Sequence, residues 1–260
     1  MPPASTPASS ARDELVMDAR AVFQADRSSS GRRPQRLSTP IADELLRRVV
    51  AGEYPVGTPL PPEPVLVEEF NVSRPVIREA VKSIESSGLV SIRQGDGTVV
   101  RDRGQWRILD PRVLPVALAY DIGSRLTDDA IALRAELDGA LLVDAAAHLT
   151  DSDFSAMLEQ LRIMDTATEL IDLQRADLAF HRVYRERSGN ELKSSIVKLL
   201  IEEMPPPERI IREPRAMYDV ANRDHWDIYE ALRAGRVEDA AAALDRHVHE
   251  LWIWRPSDAS

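Results

Sequence analysis

From residue 39 onward, apolar residues recur at helical spacing. Ile41, Leu45, Leu46 and Val49 mark one face of a first helix, opened by Thr39 as N-cap with Pro40 at the first helical position and closed by Gly52. The segment EYPVGTPLPPEP then has turn chemistry. A short helix is predicted over Glu63 to Phe70, followed by a tight turn at Asn71-Val72. Ser73 caps the next helix, whose inner side carries Val76, Ile77, Ala80, Val81 and Ile84 and which stops at Gly88. Two short apolar runs, 89–93 and 98–100, flank the turn Gln94-Gly95-Asp96-Gly97 and predict a hairpin. Helix, helix, turn, helix, hairpin is the order of a winged helix-turn-helix.

After residue 101 no strand-like alternation appears. Helices are predicted near 111–121, 127–149, 151–164, 168–188, 191–204, 217–234 and 237–252. Thr127, Thr150 and Asn190 serve as caps, and Gly189 and Gly235 as stops. The expected fold class is mainly α: an N-terminal winged helix-turn-helix with a small β wing, then a C-terminal all-α helical bundle. The organisation is a Ser/Pro/Ala/Arg-rich disordered arm at 1–36, a DNA-binding domain at 37–101, a linker at 102–110, an all-helical effector-binding domain at 111–252 and a tail at 253–260.

Composition narrows the setting. The chain has no cysteine, which excludes disulfides and thiolate metal sites and makes a reducing cytoplasm the expected location. No apolar run approaches the ~18 residues of a membrane span, and residues 1–20 lack the basic start and apolar core of a signal peptide. The net charge of -10 is unusual for a DNA binder. Its distribution matters more: residues 32–105 are close to neutral, and the acid lies in 106–260. A near-neutral module can still gather its arginines on one face.

Arg74 and Arg78 stand four apart near the start of the helix that Ser73 caps, so they share a face. The start of a recognition helix enters the major groove, where arginine pairs bidentately with guanine. Ser73 and the neighbouring backbone N–H groups suit a phosphate.

The run PVGTPLPPEP…VSRPVIREA…GLV…GDGTVV resembles the GntR family of regulators over about 60 positions in order. That resemblance implies operator DNA as a partner and puts Gln94 and Gly95 at a wing tip that reaches the minor groove, where glycine permits close backbone approach. Many members carry arginine just after the L-P-x-E glutamate. Here Pro64 stands in that place, so a common DNA contact is missing; Glu63 is read as support for the helix start.

The C-terminal part resembles the FadR branch, with its FCD domain, through Arg134, Asp177 and His181 (DLAFH), Ser188-Gly189-Asn190, His225 and His247. The resemblance implies a divalent metal held by Asp177, His181, His225 and His247. Asp177 and His181 are one turn apart on one helix face. Three imidazoles and a carboxylate suit Zn²⁺ best, with Ni²⁺, Mn²⁺ or Fe²⁺ as alternatives. His148 and His249 have no such warrant. Arg134 is where the branch holds an anionic effector, though a salt bridge with Asp138 one turn on is an open alternative. The string Trp106, Leu109-Asp110, Val113-Leu114 looks like the linker of sugar-acid regulators, such as those answering galactonate. The run Met204-Pro205-Pro206-Pro207 departs from the branch by breaking a helix.

The expectation is therefore a homodimeric, DNA-binding repressor controlled by a small carboxylate, and not an enzyme. The rivals are a metal-dependent hydrolase fused to a DNA-binding module and a regulator whose helical domain is purely structural. Metal held by Asp and His can activate water, but the chain contains no HExxH, nucleophile elbow or P-loop.

Overall fold

The computed structural model describes residues 37–93, 95, 97–121, 125–204 and 214–252. The expected arm at 1–36, the tail at 253–260, Gln94 and the Pro205–Pro207 run lie outside them.

The chain divides into two compact units, one ending at Leu126 and the other beginning at Thr127. The N-terminal unit holds α1 (Ser38–Val50), α2 (Glu63–Phe70), α3 (Arg74–Ser86), β1 (Val90–Arg93), β2 (Gly97–Val100), a 3₁₀ turn at Arg103–Gln105 and α4 (Leu114–Ala119). Ile41, Leu45, Leu46 and Val49 of α1 are buried in one core with Ile77, Ala80, Val81 and Ile84 of α3, joined by Leu66 and by Val90 and Val100 of the wing. Burying each large aliphatic side chain contributes about 1.5–3 kcal/mol. Val76 is only half-buried.

The start of α1 differs from expectation. Leu37 occupies the N-cap position without a capping hydrogen bond, and Thr39 lies inside the helix. Pro40 falls in the first turn, where the missing N–H has no intrahelical acceptor to lose. The same tolerance explains Pro64 in the first turn of α2 and Pro75 in that of α3. Asn71 closes α2 in a left-handed conformation, φ 50 and ψ 49.

β1 and β2 pair antiparallel, with Val90 opposite Val100 and Arg93 opposite Gly97. The segment before α2 runs along the other edge of β2: Leu60 N–H donates to the Thr98 carbonyl at 2.7 Å, and Val100 N–H to the Thr58 carbonyl at 2.9 Å.

The expected linker is bound into this unit. The Trp106 indole donates to the Arg101 carbonyl at 3.1 Å, and the Ser87 hydroxyl donates to Asp110 at 2.8 Å. Val113 lies in the same core as α1 and α3, and Val116 of α4 packs against it. Packing therefore puts the boundary between compact units at 126/127 and not at 110/111. Of the apolar run at 113–118, Val113 and Val116 join the first core.

The regular elements among the described residues of the C-terminal unit are all helices: α5 (Arg125–Ala146), α6 (Asp151–Thr166), α7 (Leu170–Arg187), α8 (Glu191–Glu203), α9 (Pro214–Arg233) and α10 (Val237–Trp252). Thr150 caps α6 in a reciprocal capping box with Asp153, and the Asn190 side chain accepts from Lys193 N–H at the start of α8. Thr127 lies inside α5, which already begins at Arg125. α6 packs on α7, α9 on α10, and α9 also reaches α6 and α7. No described helix is long and apolar enough to cross a membrane.

Gly88 is where backbone freedom and space both matter. Its φ is 80, and a Cβ there would stand 2.6 Å from the Gln105 carbonyl oxygen. Gly52 has φ 79 with nothing within 4 Å. Gly52→Ala is expected to cost the left-handed strain alone, about 1–2 kcal/mol. Gly88→Ala adds the collision and costs clearly more. Urea unfolding of the N-terminal unit checks this; equal losses would show that the approach of residue 105 imposes nothing.

Candidate functional sites

α2 and α3 form the helix-turn-helix pair, and the start of α3 is its exposed end. Ser73 holds the N-cap position in an extended conformation, but its side chain makes no capping hydrogen bond. Arg74 is exposed at the first position of α3. Arg78 is also exposed, and its Nε lies 3.0 Å from each oxygen of Glu63. Glu63 thus does more than open α2: it orients the side chain one turn along from Arg74. Such an exposed pair is worth about 0–1 kcal/mol and yields readily to a competing anion. Gly95 is exposed at the wing tip with φ 95.

In the other unit, four predicted ligands meet. One donor atom each from Asp177, His181, His225 and His247 lies within 4.8 Å of all the others. Nε2 of His181 is 3.0 Å from Nε2 of His225 and 3.2 Å from Nε2 of His247. Asp177 Oδ1 stands 3.2 Å from His225 Nε2 and 3.8 Å from His181 Nε2. α7 supplies the first two side chains one turn apart, and α9 and α10 supply one each. All three imidazoles are fully buried. Donors held about 2.0–2.1 Å from one ion stand roughly 3 Å from one another, so this set fits a divalent cation. His249 lies outside the cluster, with Nδ1 2.8 Å from the Asp245 carbonyl.

Beside the cluster, Asp138 of α5 gathers two hydrogen-bonding partners. Arg185 donates to both its oxygens at 2.7 Å, and the Tyr184 hydroxyl donates to Oδ1 at 2.9 Å. Arg134 is also buried, but its Nε is 3.7 Å from Asp138 Oδ2 and has no hydrogen-bond partner. The i,i+4 ion pair thus exists only loosely, because Arg185 and Tyr184 have taken the carboxylate.

Comparison with known proteins agrees with both halves. Residues 37–100 match the model of the bacterial regulatory proteins of the gntR family, and residues 129–250 match the FCD domain. The HTH-type transcriptional regulator YieP of Escherichia coli is 30% identical over 168 residues, covering 64% of this chain and 73% of the relative. The chain belongs to the GntR family. The galactonate operon transcriptional repressor of Escherichia coli is 29% identical over 195 residues, covering 73% of this chain and 83% of that protein. The Listeria monocytogenes protein Lar, described as controlling expression of the agr system, shares the fold: TM-score 0.53, 20% identity, 85% of this chain and 97% of that one. This GntR member is accordingly a transcriptional regulator that binds operator DNA, and its families and relatives are regulators rather than enzymes.

The electrostatics of the buried site are those of groups removed from water. Burial pushes His181 and His247 well below the usual imidazole range, with Arg185, Arg134 and the neighbouring rings adding to it. Burial alone raises the Asp177 carboxyl, yet His225, His247 and Arg134 outweigh it and hold the group low. Asp138 is likewise low, because Arg185, Arg134 and Tyr184 overcome its burial. Sequence reasoning named Asp138 only as a partner for Arg134 and missed Tyr184 and Arg185 altogether. The signal was present on α7: residues 177, 181, 184 and 185 follow helical spacing on one side.

The direction of these shifts sets a pH dependence. In the metal-free protein His181 and His247 stay neutral when folded, whereas the unfolded chain protonates each near pH 6.5. Stability is then complete above about pH 7 and falls as pH drops below 6.5, by about 1.4 kcal/mol per pH unit for each histidine until its folded value is reached. The two carboxylates act with the same sign near pH 4. Urea unfolding of chelator-treated protein from pH 8 to 5.5 should show the decline; a flat or rising profile would mean that the folded site accepts protons.

Proposed function

We propose that this regulator is a homodimeric repressor whose operator affinity is set by a small hydroxylated carboxylate, a sugar acid, bound beside a divalent metal ion in the FCD domain. The observation that carries the reading is the buried, unpartnered Nε of Arg134. Arg134 and Arg185 balance Asp138 and Asp177, and an imidazole that holds a metal does so in its neutral form. Adding a divalent ion, for which zinc is the best match to three imidazoles and a carboxylate, leaves the buried site two charges positive. A bound anion answers that excess, and a carboxylate matches a guanidinium in shape as well as charge. The ion would itself offer a coordination position to the ligand's oxygen.

Two more buried acceptors favour a ligand with hydroxyl groups. Gln174 Oε1 and Asn222 Oδ1 lack donors, and they stand one turn before Asp177 and His225 on the same helices. Asn222 has its orientation set, since Nδ2 donates to Asp165 at 2.5 Å. The galactonate operon repressor among the relatives is consistent with this ligand class.

On DNA, Ser73, Arg74 and Arg78 at the start of α3 and Gln94-Gly95 at the wing are the proposed contacts. One recognition helix covers a half-site, so a dimer on a palindromic operator follows from the geometry of the motif. A ligand changes operator affinity only by preferring one arrangement of the dimer.

Arg74→Ala and Arg78→Ala should each weaken operator binding by ~1–3 kcal/mol in fluorescence anisotropy at fixed salt, with the FCD domain still folded. Unchanged affinity in both variants would remove α3 as the reading helix. In the same assay Arg134→Ala should bind operator and metal as wild type but no longer respond to sugar acids. Release of DNA at the wild-type ligand concentration would rule out Arg134 as the anchor.

A further inference from the structure

The contacts around Asp138 determine where one hydrogen sits. An ionised carboxylate held at both oxygens by Arg185 only accepts hydrogen bonds. The hydrogen between Tyr184 and Asp138 therefore belongs to the phenol. A phenol has one, and it is committed. The Tyr184 Oη to His181 Nδ1 contact of 3.1 Å then requires the nitrogen to donate. His181 is left with its lone pair on Nε2, the atom that faces His225 Nε2 at 3.0 Å and His247 Nε2 at 3.2 Å. Nδ1 of His225 and Nδ1 of His247 have no hydrogen-bond partner among the described residues. Nothing behind those two rings therefore holds their hydrogen on Nδ1 and away from the shared centre.

We infer that Tyr184 is a positioning residue: anchored by Asp138 and Arg185, it fixes His181 as the Nδ1–H tautomer and so presents Nε2 as a ready donor for a cation. His181 is then the one imidazole of the three whose donor atom is set in advance. Together with Asp177, one turn away on α7, it forms a two-point seat that His225 and His247 complete from α9 and α10. Partners behind a metal-binding histidine commonly act in this way, orienting the ring and raising its basicity. The same carboxylate stands 3.7 Å from Arg134, so the group that orients the seat also borders the proposed effector anchor. The cation half of this inference rests on the metal reading above; the tautomer half does not.

The two halves are tested separately with full-length protein. Metal-free wild type labelled with ¹⁵N-histidine should show, at pH 8, a His181 with Nδ1 protonated and Nε2 bare. Tyr184→Phe should show both tautomers for His181 and bind Co²⁺ about 10–100-fold more weakly, read from the cobalt absorption bands. Loss of packing alone would lower the melting temperature without redistributing that hydrogen. If Tyr184→Phe does not fold, the wild-type spectrum still decides. An Nε2–H tautomer in wild type overturns the inference, as does a Tyr184→Phe protein that keeps both the tautomer and the Co²⁺ affinity. Wild type with the expected tautomer but no Co²⁺ uptake overturns the metal reading instead, and with it the purpose assigned to Tyr184.

Discussion

Three imidazole Nε2 atoms and a carboxylate oxygen converge where water does not reach, and the helical unit is arranged around that meeting. Two nitrogens about 3 Å apart are compatible only if a hydrogen lies between them or a cation is shared. Three mutually close nitrogens limit the first option, because each neutral ring has a single N–H. The second option satisfies all three at once. Leaving such groups unmatched costs on the order of 1–3 kcal/mol each, a large share of the margin by which a domain is stable. The cluster is thus poorly explained as filler for a structural core.

Asp138 extends that constraint outward. A buried carboxylate is tolerated only with partners, and this one has Arg185 through both oxygens and Tyr184 through one. Its saturation leaves the Nε of Arg134 close by, at 3.7 Å, without a hydrogen-bond partner. A buried guanidinium without a full set of acceptors is costly to the folded chain and useful to a sensor, since an incoming anion relieves that cost. The convergent donors and the unpartnered Arg134 Nε are the two features on which the proposed ligand site rests.

Much of this was legible in the sequence, for physical reasons. Ile41, Leu45, Leu46 and Val49, and Ile77, Ala80, Val81 and Ile84, bury as the 3.6-residue period requires. The four converging side chains were legible differently: the FadR-branch resemblance, rather than spacing, singled out three of the five histidines together with Asp177. What spacing does not contain is the choice among long-range partners. Asp138 lies one turn from Arg134, which suggested a simple pair, but Arg185 of α7 wins it by bidentate geometry. Likewise, the apolar residues 113–118 read from spacing as the start of the bundle, whereas Val113 and Val116 pack into the winged-helix core. Glu63 looked like a helix-start residue and also holds Arg78, a contact across the turn that no local pattern announces.

If the four converging side chains form a cation site, zinc should bind there through its imidazoles. X-ray absorption of zinc-loaded protein measures it directly. About one zinc per chain is expected, with imidazole scattering and a first shell of nitrogen and oxygen near 2.0–2.1 Å, all lost in the His181→Ala/His225→Ala/His247→Ala variant. A first shell of oxygen alone, or zinc held equally well by the triple variant, would contradict it.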